Sequence, residues 1–185
     1  VTRLQRAFLA VVPPEEALDD LEGRVEPLRA GAPRLRWLPR QQWHLTVQFL
    51  GPVEDAETLL DAVGAAVARL PPFPLQLGGG GAFPSARRAA VLWVGVDEPG
   101  PLVALAEAVQ ERIAGLGHPP GERRYHPHVT VARAARPRPV AALVRRLEAA
   151  APGPAWTVTD VALVESDTRP EGAVYTEYSC RALGG

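Results

Sequence analysis

The sequence predicts a mixed fold of strands and helices built as two related halves. Three observations carry this reading. The pattern His-x-Thr-x occurs twice, as HLTV at 44–47 and HVTV at 128–131. The order strand, helix, His-x-Thr-x strand, helix, strand surrounds each copy. A single offset of 84 residues, from His44 to His128, registers the halves: it lays 7–12 on 91–96, Leu18 and Leu21 on Leu102 and Leu105, and Leu59 on Leu143. Internal repetition of this kind points to duplication of one structural unit.

Taken in order, RAFLAVVP is a short apolar run closed by Pro13 and Pro14 and reads as a strand. PEEALDDLEGRVEPLRA follows as an amphipathic helix, with Ala17, Leu18, Leu21, Val25 and Leu28 on one face and acids in the first turn. RLRWL is a short strand leading into the strand that holds His44. A second helix is expected over 54–69, then a strand at FPLQL. GGGGAFPSARR reads as a turn or loop, and as a phosphate cradle it is weak because no helix start clearly follows. AVLWVGV reads as a strand and GPLVALAEAVQERIAGLG as a helix closed by glycine. The loop HPPGERRYHP, the strand of His128 and a helix over 139–150 come next. AWTVTDVALVESDT and AVYTEYSCRAL read as a closing hairpin.

The chain has 185 residues, of which 46% are hydrophobic and 22% charged, so it fits one globular domain or two small lobes sharing a core. No apolar run approaches the roughly 20 residues of a membrane span, and no signal peptide is visible. Cys180 is the only cysteine, so no internal disulfide or CxxC site can form, which fits a reducing cytoplasm. All 20 basic residues are arginine. Without lysine there is no Walker-type phosphate loop, no Schiff base and no lysyl-adenylate nucleophile. The net charge is −1, yet 27–53 and 123–147 contain no acid and carry Arg29, Arg34, Arg36 and Arg40, and Arg123, Arg124, Arg133, Arg136, Arg138, Arg145 and Arg146. Each motif lies inside one of these basic stretches. Converging, they would attract an anion.

Successive side chains of a strand alternate faces, so His44 and Thr46 share one face, as do His128 and Thr130, with Leu45, Val47, Val129 and Val131 buried behind. Packing the halves about a pseudo-twofold axis would bring all four polar groups to one cleft. Two histidines flanking a phosphate suit phosphodiester cleavage, one taking a proton from the attacking oxygen and the other giving one to the leaving oxygen. Threonine hydroxyls can hold the non-bridging oxygens, and no metal is required. His126 and His128 could instead be two metal ligands, but no third ligand lies at zinc-like spacing. His126 reads better as a structural residue before Pro127, and His118 as solvated. Trp37, Trp43 and Trp93 suit packing, while Phe8, Phe49, Phe83 and Tyr125 are candidates for stacking on a base.

RAFLAVVPP, WHLTVQFLG, GGGAFPSARRAAVLWVGV, YHPHVTVAR and LVESDTRPEGAVYTEY together resemble the bacterial and archaeal RNA 2′,3′-cyclic phosphodiesterases, or 2′-5′ RNA ligase family, of the two-histidine phosphoesterase superfamily. The resemblance implies an α+β, bilobal fold in one domain over 1–185, its lobes near 1–84 and 85–185 with some strand exchange, and the motifs facing across a central cleft. It implies metal-independent, cofactor-free opening of a terminal 2′,3′-cyclic phosphate of RNA, tRNA fragments included, to a 2′-phosphate. His44 resembles the proton donor to the 3′-oxygen, His128 the acceptor that activates water, Thr46 and Thr130 the phosphate holders, and Arg133 a phosphate-contacting arginine. Five residues beyond His128, Arg133 would need a bulge or strand end to reach the same face. Run backwards, the chemistry joins a 5′-hydroxyl in a 2′-5′ bond without ATP or lysine. A monomer with no protein partner is expected. A cyclic phosphodiesterase of small nucleotides and a non-catalytic RNA-end binding module remain alternatives.

Overall fold

The computed structural model describes residues 1–170 and 172–184. Along them run β1 (Leu4–Val11), α1 (Glu15–Arg29), β2 (Arg36–Trp37), β3 (Leu45–Val53), α2 (Ala56–Val67), β4 (Phe73–Phe83), β5 (Ala89–Asp97), α3 (Gly100–Ala114), β6 (Val129–Arg138), α4 (Ala141–Ala149), β7 (Trp156–Val158), β8 (Asp160–Arg169) and β9 (Gly172–Ala182). The fold is α+β. All strand pairs are antiparallel, in the order β7-β4-β5-β6-β3-β1-β8-β9, with β2 also paired to β6.

The order reads alike outward from the central pair: β6, β5, β4 on one side and β3, β1, β8 on the other. β4 follows the first-half helix α2 but pairs with β5, while β8 follows α4 and pairs with β1. Each half therefore completes the other's sheet. The helices bury Leu21 and Val25 of α1, Leu60 and Val63 of α2, Leu102 and Leu105 of α3, and Leu147 of α4 in one core with the sheet. Each such side chain contributes about 1.5–3 kcal/mol by leaving water. Leu45, Val47, Val129 and Val131, at most 1% exposed, point into that core. Alternation then turns His44, Thr46, His128 and Thr130 to the opposite face. Among the described residues no helix is long and apolar enough to cross a membrane.

Some sequence expectations change. The glycine run 78–81 is not a loop but lies within β4. A Cβ at Gly81 would fall inside the Trp93 indole of the neighbouring strand, and one at Gly80 against Leu147 of α4. Glycine is needed there for close approach, although its intrinsic strand preference is low. AWTV does not join the closing hairpin: β7 pairs with β4, and β8 and β9 form the hairpin alone. RLRWL shrinks to a two-residue strand on the edge of β6. His118 is half-buried, with Nδ1 3.2 Å from the Leu50 carbonyl, rather than solvated.

Replacing Gly81 with alanine should cost about 1–3 kcal/mol by overpacking against Trp93. Gly23→Ala, inside α1 with open space around it, should instead gain about 0.5–1 kcal/mol. Urea denaturation of the two variants checks this, and equal stabilities would refute the packing argument.

Candidate active site

The site begins with one bridge. Leu45 pairs with Val129, the only such pair between β3 and β6 among the described residues. In this antiparallel register His44 lies across from Thr130, and Thr46 across from His128. Each histidine thus faces the threonine of the other motif. Beyond the bridge the strands diverge to partner β1 and β5, which opens a cleft of about 690 Å³ between them.

Immediately after each motif the strand bulges. On β6, Thr130 and Ala132 oppose the adjacent residues Trp93 and Leu92 of β5, so Val131 is extra. On β3, Thr46 and Gln48 oppose Ala10 and Leu9, so Val47 is extra. Both doublets, Val47–Gln48 and Val131–Ala132, are buried. A bulge shifts the alternation by one residue. It turns Arg133 and its counterpart 84 residues earlier, Phe49, toward the cleft, and both line it.

The two histidines are held alike at one nitrogen and differently at the other. His44 Nδ1–H donates to the Gln42 carbonyl at 2.8 Å, and His128 Nδ1–H to the His126 carbonyl at 2.7 Å. A carbonyl only accepts, so Nδ1 keeps its proton in both rings and Nε2 is the atom that titrates. His44 Nε2 lies 3.0 Å from the Thr46 hydroxyl. Among the described residues His128 makes no matching bond to Thr130. His44 stacks on Phe8 at 4.5 Å and meets the edge of Tyr175 at 5.2 Å. His128 meets Phe83 edge-on at 5.0 Å and lies 6.0 Å from Trp93.

These settings move the imidazoles. Burial pushes His44 down from the ordinary 6.5 to about 4; the Gln42 bond opposes this, while the charges of His128 and Arg133 add to it. His128 is lowered as well, first by burial, with the His126 carbonyl opposing and the charges of His126 and Arg133 assisting. Arg6, Arg36, Arg133 and Arg169 line the cleft together with Ser166 and Thr168, and no carboxylate does among the described residues. Only part of the basic stretches arrives here, since Arg29 pairs with Glu22 and Glu26, and Arg40 with Glu15 and Asp19. The cleft can hold an anion between two imidazoles. No three His, Cys, Asp or Glu side chains among the described residues cluster as a metal centre would need.

Of the residues expected at the site, His44, Thr46, His128, Thr130, Arg133, Phe49 and Phe83 are brought together. Phe49 is 68% exposed at the rim, free to meet a ligand. Phe8 is only 3% exposed and lies beneath His44, so it packs the histidine rather than offering a face to a base. Tyr125 packs on the core outside the cleft lining, and burial raises its phenol. Sequence reasoning missed Tyr175, Gln42 and Arg6. Gln42 Nε2 donates to the Ala173 carbonyl at 2.6 Å and ties the β9 wall of the cleft to the approach to β3. Arg6 lies on β1 beside β3, and Tyr175 on β9 at the sheet edge beyond β8, places that only strand pairing reveals.

Two His-x-Thr-x strands set crosswise on one face of an antiparallel sheet define a protein of the two-histidine class. The chain belongs to the 2′-5′ RNA ligase superfamily, whose family model matches residues 13–170. It is 36% identical to the RNA 2′,3′-cyclic phosphodiesterase of Thermus thermophilus, over 97% of this chain and 91% of that protein. It is 29% identical to the protein of the same name from Methanothermobacter thermautotrophicus, over 93% and 95%. Among solved structures it is similar to E. coli LigT complexed with 3′-AMP, with a TM-score of 0.74, 28% identity and coverage of 98% and 99%.

Replacing Phe8 with leucine should leave His44 less shielded and raise its pKa from about 4 toward 6.5, with His128 moving less. The protonated fraction of His44 at pH 5 would then grow. Proton NMR titration of the imidazole Cε1–H signals measures both, and an unmoved His44 would mean that Phe8 does not desolvate it.

Proposed function

We propose that the protein opens the terminal 2′,3′-cyclic phosphate of RNA to a 2′-phosphomonoester by acid–base catalysis between His44 and His128. The observation that carries this reading is the crosswise pairing of the two motifs around an arginine-lined cleft. The names of the relatives support the substrate, and a nucleotide complexed with LigT supports a nucleotide end as the ligand. Water attacks phosphorus while His128 Nε2 takes its proton. The bond from phosphorus to the 3′-oxygen breaks as His44 Nε2 gives that oxygen a proton. The phosphate stays on the 2′-oxygen and a 3′-hydroxyl is formed. Thr46, Thr130 and Arg133 hold the non-bridging oxygens, an arrangement that favours the charge developing at phosphorus.

The two rings sit in different surroundings. His44 must be protonated to act as the acid, yet its apolar surroundings hold it neutral near pH 7. A bound phosphodiester brings negative charge between the imidazoles and favours the charged ring, so substrate itself arms the acid. Phe49, exposed at the rim, offers the base a stacking face and fixes one orientation of the nucleotide. With a 5′-hydroxyl in place of water, the reverse direction joins a 2′-5′ bond. We read residues 1–185 as one domain of two related lobes, near 1–84 and 85–185, a reading supported by the mirrored strand order. We place the protein in the cytoplasm as a monomer acting on RNA ends that include tRNA fragments.

His44→Ala and His128→Ala should each lower cyclic-phosphate opening by about 10²–10⁴-fold with the fold intact. The double variant should lose far less than the product of the two. Near wild-type turnover in either would remove that histidine from the mechanism, and phosphorus NMR of the product should find the phosphate on the 2′-oxygen. A 3′-phosphate would reverse the assigned roles. Chelation by EDTA should leave turnover unchanged; loss restored by zinc or manganese would make His126 and His128 metal ligands.

A further inference from the structure

A second basic pocket adjoins the cleft and has no part in the chemistry above. The turn at 31–35 and the start of α4 enclose about 650 Å³, lined by Arg34, Leu35, Arg138, Val140 and Ala141 among others, with no carboxylate. Arg36, two residues from Arg34, lies opposite Arg133 in the β2–β6 pair and lines the catalytic cleft. Two residues of chain span at most about 7 Å, so the arginines step from cleft to pocket without a gap.

Three features make the pocket hospitable to an anion. Arg34, Arg36, Arg133 and Arg138 have no carboxylate partner among the described residues, whereas Arg3, Arg24, Arg29, Arg40, Arg169 and Arg181 do. Arg138 Nε is buried with no hydrogen-bond partner among the described residues, so an anion oxygen there would meet an unsatisfied donor. The nine-residue α4 starts without a side-chain cap and without an acid in its first turn, and its first residues Ala141, Ala142 and Leu143 line the pocket. Sequence explains the absence of competing acids: 27–53, 62–96 and 123–147, which supply β2, β5 up to Val96, β6 and the start of α4, contain none. Arg87 and Arg88, in the turn before β5, extend the surface beside Arg138 through the Ala89–Arg138 pair.

We propose that this pocket binds a backbone phosphate upstream of the RNA end held in the cleft. The substrate class is then a polynucleotide rather than a small cyclic nucleotide. The proposal rests on the cleft being the site of the cyclic phosphate. Arginine contacts here are to phosphate and read no base.

The test compares a short oligouridylate ending in a 2′,3′-cyclic phosphate with uridine 2′,3′-cyclic phosphate alone. Arg34→Gln/Arg138→Gln should raise KM for the oligonucleotide about tenfold and leave the mononucleotide unchanged. The slope of log KM against log salt should fall by about 0.7 for each phosphate that the variant no longer neutralises. Arg34 is exposed, so Arg34→Gln alone keeps the fold and should give part of the same shift if half-buried Arg138 proves structural. Fluorescence anisotropy of a labelled oligouridylate ending in a 2′-phosphate reads binding apart from turnover. Equal KM for both substrates in the wild type, or equal losses on both in the variant, would overturn the pocket while leaving the cleft reading intact. Failure of the wild type to open either substrate would overturn the cleft reading, and the anisotropy would still decide the pocket.

Discussion

Everything at the site follows from the antiparallel bridge between Leu45 and Val129. Because it is antiparallel, the four polar side chains are crossed rather than aligned, and each histidine meets the other motif's threonine. Because it is a single pair, the two strands are free to separate at once toward β1 and β5. A longer ladder would hold the strands together and leave no cleft between them. The residues of the bridge are both wholly buried. The hydrophobic core therefore sets the spacing of the four polar side chains, and polar contacts among them do not have to.

The bulges are the second constraint, and they depend on the first. A regular strand would point Phe49 and Arg133 into the core, where a guanidinium without a partner could not stay charged at tolerable cost. Inserting Val47 and Val131 buries one more apolar side chain on each strand and returns the next residue to the cleft. The same local device occurs in both halves at one offset. The two halves thus share the backbone device and differ in the residue it presents, an exposed aromatic ring at Phe49 and a guanidinium at Arg133.

Burial and pairing explain what could be read from the sequence. The motifs, the four helices and the core strands were legible because apolar periodicity reports burial against one core. The repeat was legible because the offset survives where identity does not. The glycine run was misread because glycine is judged by its own preference, whereas here its use lies in the Trp93 ring crossing it. β7 was misplaced because its partner β4 is distant in sequence and nothing local names it. The bulge was half visible: Arg133 needed one, and the apolar doublet Val131–Ala132 is the pattern a bulge leaves, though a doublet alone also fits a strand end. Phe8 reads as a candidate for stacking on a base yet packs beneath His44, since alternation cannot say that β1 is buried on both faces.

β1 carries the deeper asymmetry. Its cleft face, with Phe8 and Ala10, joins Ala162 and Val164 of β8 in a small apolar cluster of its own, roofed in part by Tyr175. That cluster is the floor beneath His44, and it is why His44 loses its charge so readily. The position of Phe8 corresponds at the same offset to Leu92, which is buried in the main core instead. His128 therefore has no such floor and relies on Phe83 and Trp93 at its edges. A symmetric frame would give the two histidines equivalent surroundings. One apolar cluster under one ring makes their surroundings unequal, and the packing that does so lies on β1 and β8 rather than on either motif strand.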